Sequence, residues 1–392
     1  MNRIRMIIFL TVVLVIYSLA NIYIFLKGYN AIPLLRDHRI LYAIVFFLLA
    51  LTFVAAKFIE ARHSSIITDA LNIIGGFWMA FLLYGFLFLF LSDILLLLLR
   101  IPGIITRQDI FVFHKWSFLV TIIITFFLIS GGFINALIPA VKKYDIKINK
   151  PAGSIKTLRI AAVSDIHLGS IIRKRSIRKL SEMLTEIKPD IVLLLGDIVD
   201  GEIGPVIRGD LLKYFKCPEC TNGLFAITGN HEFIGGGGRT IPYIASKGIR
   251  ILKDEVVTLN GGIQLVGRID KDSRMFYGKE RMPLEELMEQ VDTARPVILL
   301  DHQPFRLNES EKYGIDLQLS GHTHNGQMWP LNYLTRLMYE VSYGYRKKGN
   351  MQIIVSSGFG IWGPRIRSGS RPEVLLINVS FQDSGKSGGL SF

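Results

Sequence analysis

Asp165, His167, Asp197, Asn230, His231, His302, His322 and His324 carry most of the chemical potential of this 392-residue chain. Each follows a short apolar run. Residues 158–163 lead into Ser164-Asp165-Ile166-His167, 191–195 into Gly196-Asp197, and 223–228 into Gly229-Asn230-His231-Glu232. Residues 296–300 lead into Asp301-His302, and 317–320 into Gly321-His322-Thr323-His324. Such runs predict strands, buried on both faces where the apolar stretch is continuous. Their carboxyl ends are where an open α/β sheet collects ligand groups. Asp, Asn and His donors suit Mn, Fe or Zn. A bare carboxylate at a buried strand end is costly without a cation, so Asp197 is expected to bridge two metal ions. At a strand end, the period of two is expected to point both Asp165 and His167 to one face. His322 and His324 repeat that spacing. Taken singly, each motif has a plain explanation: a turn aspartate, a chance pair, a histidine capping a core. Five of them at successive strand ends do not.

The elements that must position these residues follow from periodicity. Ile177, Leu180, Leu184 and Ile187 predict an amphipathic helix between the first two strands, with Ser176 as N-cap. Strand, helix, strand implies a right-handed parallel crossover. Further strands are expected at 249–252, 263–267, 351–355 and 374–379. Four glycines, Gly235 to Gly238, predict a loop that is mobile or closely approached. Trp362, in a Gly-rich loop, is open to two uses: covering a sugar or acyl group, or packing in the core.

Ahead of this lies a different composition. Half of the residues are hydrophobic, the mean hydropathy is +0.38, and the excess falls before residue 140. Apolar runs at 6–26, 40–57, 70–99 and 116–138 meet or approach the length needed to cross a hydrocarbon core. Residues 1–141 therefore read as a transmembrane region of about four helices. The first run lacks a cleavage pattern and is followed by further spans, unlike a signal peptide. Asp93 lies in the third run and receives no role. The basic stretch 142–156, broken by Pro151-Ala152-Gly153, reads as a linker. Residues 157–380 form the second domain and 381–392 a flexible tail. Basic residues near the span ends number eight on the side of the N-terminus (Arg3, Arg5, Lys57, Arg62, Lys142, Lys143, Lys147, Lys150). Six lie opposite (Lys27, Arg36, Arg39, Arg100, Arg107, Lys115). That balance leans towards a multi-pass protein of the cell membrane with a cytoplasmic catalytic domain.

The net charge of +13 suits an anionic membrane surface or a phosphorylated substrate. No nucleic-acid-binding signature accompanies it. Cys217 and Cys220 supply two ligands where a structural zinc needs four, so they read as incidental thiols.

The ordered motifs resemble those of calcineurin-like metallophosphoesterases: D-x-H, GDxxD, GNH[D/E], H and GHxH. Here they read Asp165-Ile166-His167, Gly196-Asp197-Ile198-Val199-Asp200, Gly229-Asn230-His231-Glu232, His302 and Gly321-His322-Thr323-His324. The stretch Asn325-Gly326-Gln327 and the late loop 357–364 resemble a bacterial membrane-associated subgroup. Gly201 departs from the Arg that many other relatives carry after GDxxD.

The resemblance implies a four-layer αββα sandwich. It implies a first metal held by Asp165, His167, Asp197 and His324, and a second by Asp197, Asn230, His302 and His322. The metals would be Mn, Fe or Zn. It also implies that His231 protonates or steadies the leaving alkoxide, with Asp200 or Glu232 orienting a histidine. Arg268, Arg365 and Arg367 are candidates to grip the substrate's remaining charge.

The expected function is a membrane-anchored, dimetal phosphoesterase that hydrolyses a phosphodiester or pyrophosphate. Its tether to a bilayer suggests a lipid-linked substrate, and some relatives are lipid-precursor pyrophosphatases. One rival is an idle sensor or scaffold retaining the fold, against which the intact ligand set argues. The other is a transporter with a regulatory domain, for which the spans show no polar repeat.

Overall fold

A computed structural model describes residues 3–60, 62–217, 219–234, 237–278 and 280–382. The chain separates into two compact units, residues 1–134 with 363–366, and residues 135–362 with 367–392.

The first unit is helical. Its long helices are α1 (Arg3–Ala31), α2 (Arg39–Glu60), α3 (Ile66–Arg100) and α4 (Asp109–Ala136). All four have a stretch long and apolar enough to cross a membrane. They overrun the predicted apolar limits at most ends. Ser65 and Thr68 form a reciprocal capping box at the start of α3. Several polar groups of these helices pair with one another. Tyr23 Oη donates to Asp93 Oδ2 at 2.6 Å, Lys27 pairs with the same carboxylate, and Trp78 Nε1 donates to Asn21 Oδ1 at 3.0 Å.

The second unit holds two six-stranded sheets. The strands are β1 (Ala140–Pro151), β2 (Thr157–Val163), β3 (Ile191–Leu194), β4 (Leu224–Ile227), β5 (Arg250–Leu252) and β6 (Glu255–Thr258). There follow β7 (Gln264–Gly267), β8 (Val297–Leu300), β9 (Leu317–Ser320), β10 (Gly344–Lys348), β11 (Met351–Val355) and β12 (Glu373–Gln382). One sheet runs β1-β12-β2-β3-β4-β5 and the other β10-β11-β9-β8-β7-β6.

Alternation along each strand divides the core into layers. Ile160, Leu193 and Leu375 from the first sheet meet Leu265, Ile298 and Leu319 from the second. On the outer face, Val163, Val192 and Leu194 pack against Ile177, Leu180 and Leu184 of α5 (Lys174–Ile187). Val266, Val297 and Leu299 pack outward against Leu284, Leu287 and Leu307. The result is the expected four-layer sandwich. Its central strands β2-β3-β4 and β7-β8-β9 are parallel, so their carboxyl ends lie together in each sheet.

Four local expectations change. Most of the segment read as a linker, 142–156, belongs to β1, which pairs in parallel with β12. Lys143, Asp145 and Lys147 are exposed and alternate with Ile146 and Ile148, which are buried in the inter-sheet core. Lys142 and Lys150 lie on the same side as the isoleucines, half-buried, and bond Tyr343 and Asp316. The exposed charges mark the solvent side of an edge strand, and the Pro-Ala-Gly break comes only at its end. The final strand extends through Gln382, and residues 383–392 of the expected tail lie outside the described residues. Ser176 sits within the first turn of α5, which starts at Lys174 after Arg173. In the glycine run, Gly235 and Gly236 lie outside the described residues, and a helix already begins at Gly237.

Candidate metal centre

All eight residues that open the sequence analysis come from the segments just past β2, β3, β4, β8 and β9, with Asn230 and His231 opening a short helix and His324 a 3-10 turn. The local geometry is not extended strand, so the period of two is not what aims Asp165 and His167. Asp165, His167, Asp197, His322 and His324 have positive φ values of 53°, 50°, 52°, 70° and 49°. Such conformations cost about 1–3 kcal/mol each for non-glycine residues and concentrate at functional sites. At these five residues the backbone turns sharply and throws the side chain inward.

Close approach explains the flanking glycines. A Cβ on Gly196 would lie 2.7 Å from the Gly229 amide nitrogen and from His302 Nδ1. A Cβ on Gly321 would collide with the Ser164 hydroxyl and the Asp165 carboxylate.

The side chains form connected groups. Asp165, His167 and His324 converge, with His324 Nε2 lying 3.3 Å from Asp165 Oδ1 and 3.0 Å from His167 Nε2. Asp197, His302 and His322 converge beside them. Asn230 joins that second group through its Oδ1, 3.0 Å from His322 Nδ1. Asp197 faces both groups: its Oδ2 is 3.1 Å from His302 Nε2 and 3.8 Å from His167 Nε2. A third group comprises His167, Asp200 and His231.

The donor atoms require a cation. His302 Nδ1 contacts the Leu195 carbonyl oxygen at 2.7 Å, and a carbonyl can only accept. The neutral ring therefore presents a lone pair at Nε2, which is buried without a hydrogen-bond partner and faces the Asp197 carboxylate. Two acceptors this close, out of water, need a proton or a metal ion between them. These residues fit the divalent cations that the sequence motifs imply.

A family model for calcineurin-like phosphoesterases matches residues 158–326. A metallophosphoesterase of Aquifex aeolicus is 33% identical over 243 residues, covering 61% of this chain and 91% of its own. This chain belongs to the calcineurin-like phosphoesterases. The similarity also reaches the helical region. Metallophosphoesterase Cj0846 of Campylobacter jejuni is 29% identical over 377 residues, covering 95% of this chain and 98% of its own. The UDP-2,3-diacylglucosamine pyrophosphatase LpxG of Chlamydia muridarum is 23% identical over 301 residues, covering 61% and 89%.

The electrostatics of this phosphoesterase follow from buried carboxylates and imidazoles packed against one another. Burial alone would raise Asp165, Asp197 and Asp200, but the surrounding imidazoles hold all three below the ordinary carboxylate range. Burial would likewise lower His167, but Asp165 and Asp200 raise it to about 10. His302 is also raised, by Asp197 above all, against its burial. His322 and His324 are held down to about 3 and about 4, chiefly by burial.

Asp200 is the orienting carboxylate. Its Oδ1 lies 3.1 Å from both His167 Nδ1 and His231 Nδ1. Glu232 has a different task. Its fully buried carboxylate accepts the amide N–H groups of Asp197 (3.0 Å), Ile198 (2.7 Å), Val199 (3.0 Å) and Gly229 (2.7 Å). It pins the loop after β3 to the loop after β4. Burial and Asp197 raise Glu232 to about 7 against the pull of those amides. Glu232→Gln would turn an amide NH₂ toward two of the four donors. Stranding two buried N–H groups is expected to destabilise the protein by about 2–4 kcal/mol, read as a lowered thermal midpoint of the metal-free protein.

The three candidate arginines part ways. Arg367 is fully buried, and its Nη2 reaches His324 Nδ1 at 3.1 Å and the carbonyl oxygens of Gly358 (3.2 Å) and Gly360 (2.5 Å). It braces the late loop against His324, a contact that residue spacing could not reveal. Arg268 lies outside the cluster, buried in the wall of a neighbouring cavity. Arg365 belongs to the short stretch grouped with the helices, 6.0 Å from the Phe133 ring centroid. Trp362 is 52% exposed and so does not pack in the core.

Proposed function

We propose that this chain is a membrane-anchored, dinuclear phosphohydrolase that cleaves a pyrophosphate or phosphodiester bond in a lipid-borne substrate. The observation that carries the proposal is Asp197, whose carboxylate faces two separate sets of nitrogen donors. Asp165, His167, Asp197 and His324 would hold one divalent ion, and Asp197, Asn230, His302 and His322 the other. When bound, the pair supplies Lewis acidity and a nucleophilic water near neutral pH. Mn, Fe and Zn all suit these donors. His231 is 20% exposed at its side chain and keeps Nδ1 against Asp200. Its Nε2 is then free to meet the leaving oxygen as proton donor. Asp200 fixes the ring for that transfer, as it fixes His167.

A cavity of about 410 Å³ supports an extended anionic substrate. Arg268, Lys271, Arg281 and Phe305 are among its lining residues. Arg281 pairs with the Asp301 carboxylate and Arg268 Nη2 donates to the Met282 carbonyl oxygen, while the Nε atom of each is buried without a hydrogen-bond partner. The Phe305 ring lies 4.8 Å from that of Tyr339, tilted by 39°, and the Tyr339 ring lies 6.1 Å from that of His322. This cavity would take a second phosphate or another acidic group beyond the scissile one. Arg268→Ala is expected to raise KM for a diphosphate substrate about tenfold, leaving kcat within about twofold. Steady-state kinetics on a diphosphate and on a simple aryl phosphate would separate the two effects.

The lipid part of the proposal draws on the four apolar helices and on the lipid pyrophosphatase among the relatives. The charge balance at the span ends favours a cytoplasmic catalytic domain. The deciding experiment uses the full chain in nanodiscs, loaded with Mn. Metal content is measured, and bis-aryl phosphate, nucleotide sugars and a lipid diphosphate are offered. Two metals per chain with turnover of a diphosphate is the expected result. Two metals with no hydrolysis of any substrate would remove the assignment.

A further inference from the structure

Among the described residues from β1 to β12 few large apolar side chains are exposed, and six of the eleven fall in two neighbouring stretches. Trp329, Tyr333, Leu334, Leu337, Met338 and Trp362 are all exposed, Leu337 to 85% and Met338 to 68%. Elsewhere among the described residues from β1 to β12, the others are Val141, Ile207, Ile234, Met275 and Tyr345. Four of the clustered six lie on α6 (Leu331–Met338), an eight-residue helix none of whose residues is buried.

The two stretches that carry the cluster are tied together. Gln327 Nε2 donates to the Trp362 carbonyl oxygen at 2.9 Å, and Trp362 N donates to Gln327 Oε1 at 3.3 Å. Trp329 N donates to Ser368 Oγ at 3.1 Å. This is a fixed apolar face, and α6 serves no core.

We propose that α6 and Trp362 seat in the interfacial layer of the bilayer that α1–α4 cross. Indole and phenol groups beside Leu and Met match the composition of interfacial segments. The charge fits as well. Residues 329–348 contain Arg336, Arg346, Lys347 and Lys348 against a single acid, Glu340, and so complement anionic headgroups. The helix also begins seven residues after His324. Seating it in the headgroup layer brings the metal centre within a short tether of lipid-borne phosphates. The inference rests on the helices spanning a membrane and is independent of the chemistry at the metal centre.

The test uses the full chain with Cys217→Ser and Cys220→Ser, reconstituted in nanodiscs of phosphatidylcholine and phosphatidylglycerol. Spin labels are placed singly at Leu337→Cys, at Ile123→Cys in α4, and at Lys253→Cys on the exposed turn between β5 and β6. Power saturation with oxygen and with a water-soluble nickel chelate reads depth. The Leu337 label is expected to be oxygen-accessible and nickel-protected, close to Ile123 and unlike Lys253. A Leu337 label as open to nickel as Lys253 overturns the inference. An Ile123 label open to nickel overturns the membrane-spanning assignment on which it rests. A Leu337 label shielded from both reagents, with spin–spin broadening that unlabelled protein dilutes away, makes a second copy the occupant and also overturns it.

The triple variant Leu334→Ser, Leu337→Ser, Met338→Ser gives a second readout. Hydrolysis of a soluble aryl phosphodiester should be unchanged. Hydrolysis of a bilayer-embedded substrate should fall about tenfold. An equal fall for the same substrate presented singly in detergent would mean that α6 grips the substrate's acyl chain, which excludes bilayer seating as its role.

Discussion

Asp197→Asn is expected to reduce turnover by at least about three orders of magnitude and to lower bound metal from two ions per chain to one or none. The substitution is nearly isosteric and separates charge from shape. Asp197 Oδ1 accepts the backbone N–H of His231 at 2.8 Å, and an asparagine carbonyl oxygen can keep that bond. Asp197 Oδ2 lies among His302 Nε2 and His167 Nε2. There the variant presents an NH₂ group, which donates where a metal ion needs an anion. The loop should hold while the bridge is lost. Metal analysis after dialysis, alongside activity and far-ultraviolet circular dichroism, would test this. Retention of both metals with full activity would mean that Asp197 does not bridge them.

His231→Ala has the second-largest expected effect, a fall in kcat of about 10²–10⁴-fold with metal content unchanged. His231 stands apart from the two candidate ligand sets and meets the cluster through Asp200 and an edge-to-face contact with His167, with ring centroids 4.6 Å apart. Its loss removes no proposed metal ligand. If the role is protonation of the leaving oxygen, the penalty depends on the leaving group. An alkyl ester should suffer most and p-nitrophenolate least, because the latter departs without help. Asp200→Asn should reproduce part of the loss, about 10–100-fold, because it disorients the same ring. A His231→Ala penalty independent of leaving group would assign the residue to substrate positioning instead.

The division between what was legible in the sequence and what was not follows chemistry against geometry. Donor types appear directly as letters, so Asp165, His167, Asp197, Asn230, His302, His322 and His324 could be picked out from their places after apolar runs. The buried strands were legible for the same reason, since Ile191–Leu194 and Val297–Leu300 are uninterrupted apolar stretches. Of the four edge strands, β5 was legible, and β1, β6 and β10 were not. In β1, charged and apolar residues are interleaved, and local composition there imitates a loop. In β10, only Gly344 of five residues is buried.

The sequence by itself determined that hard-ligand residues recur at successive strand ends behind four apolar spans. Only the tertiary structure decided how they are aimed and held. Left-handed backbone at five of those residues, the four amides around Glu232 and the guanidinium of Arg367 behind His324 all depend on partners far apart along the chain. Local periodicity contains no term for such contacts. The same holds for α6. Its apolar letters would suit a core helix equally well, and only packing shows that nothing in the described fold of the catalytic unit covers them.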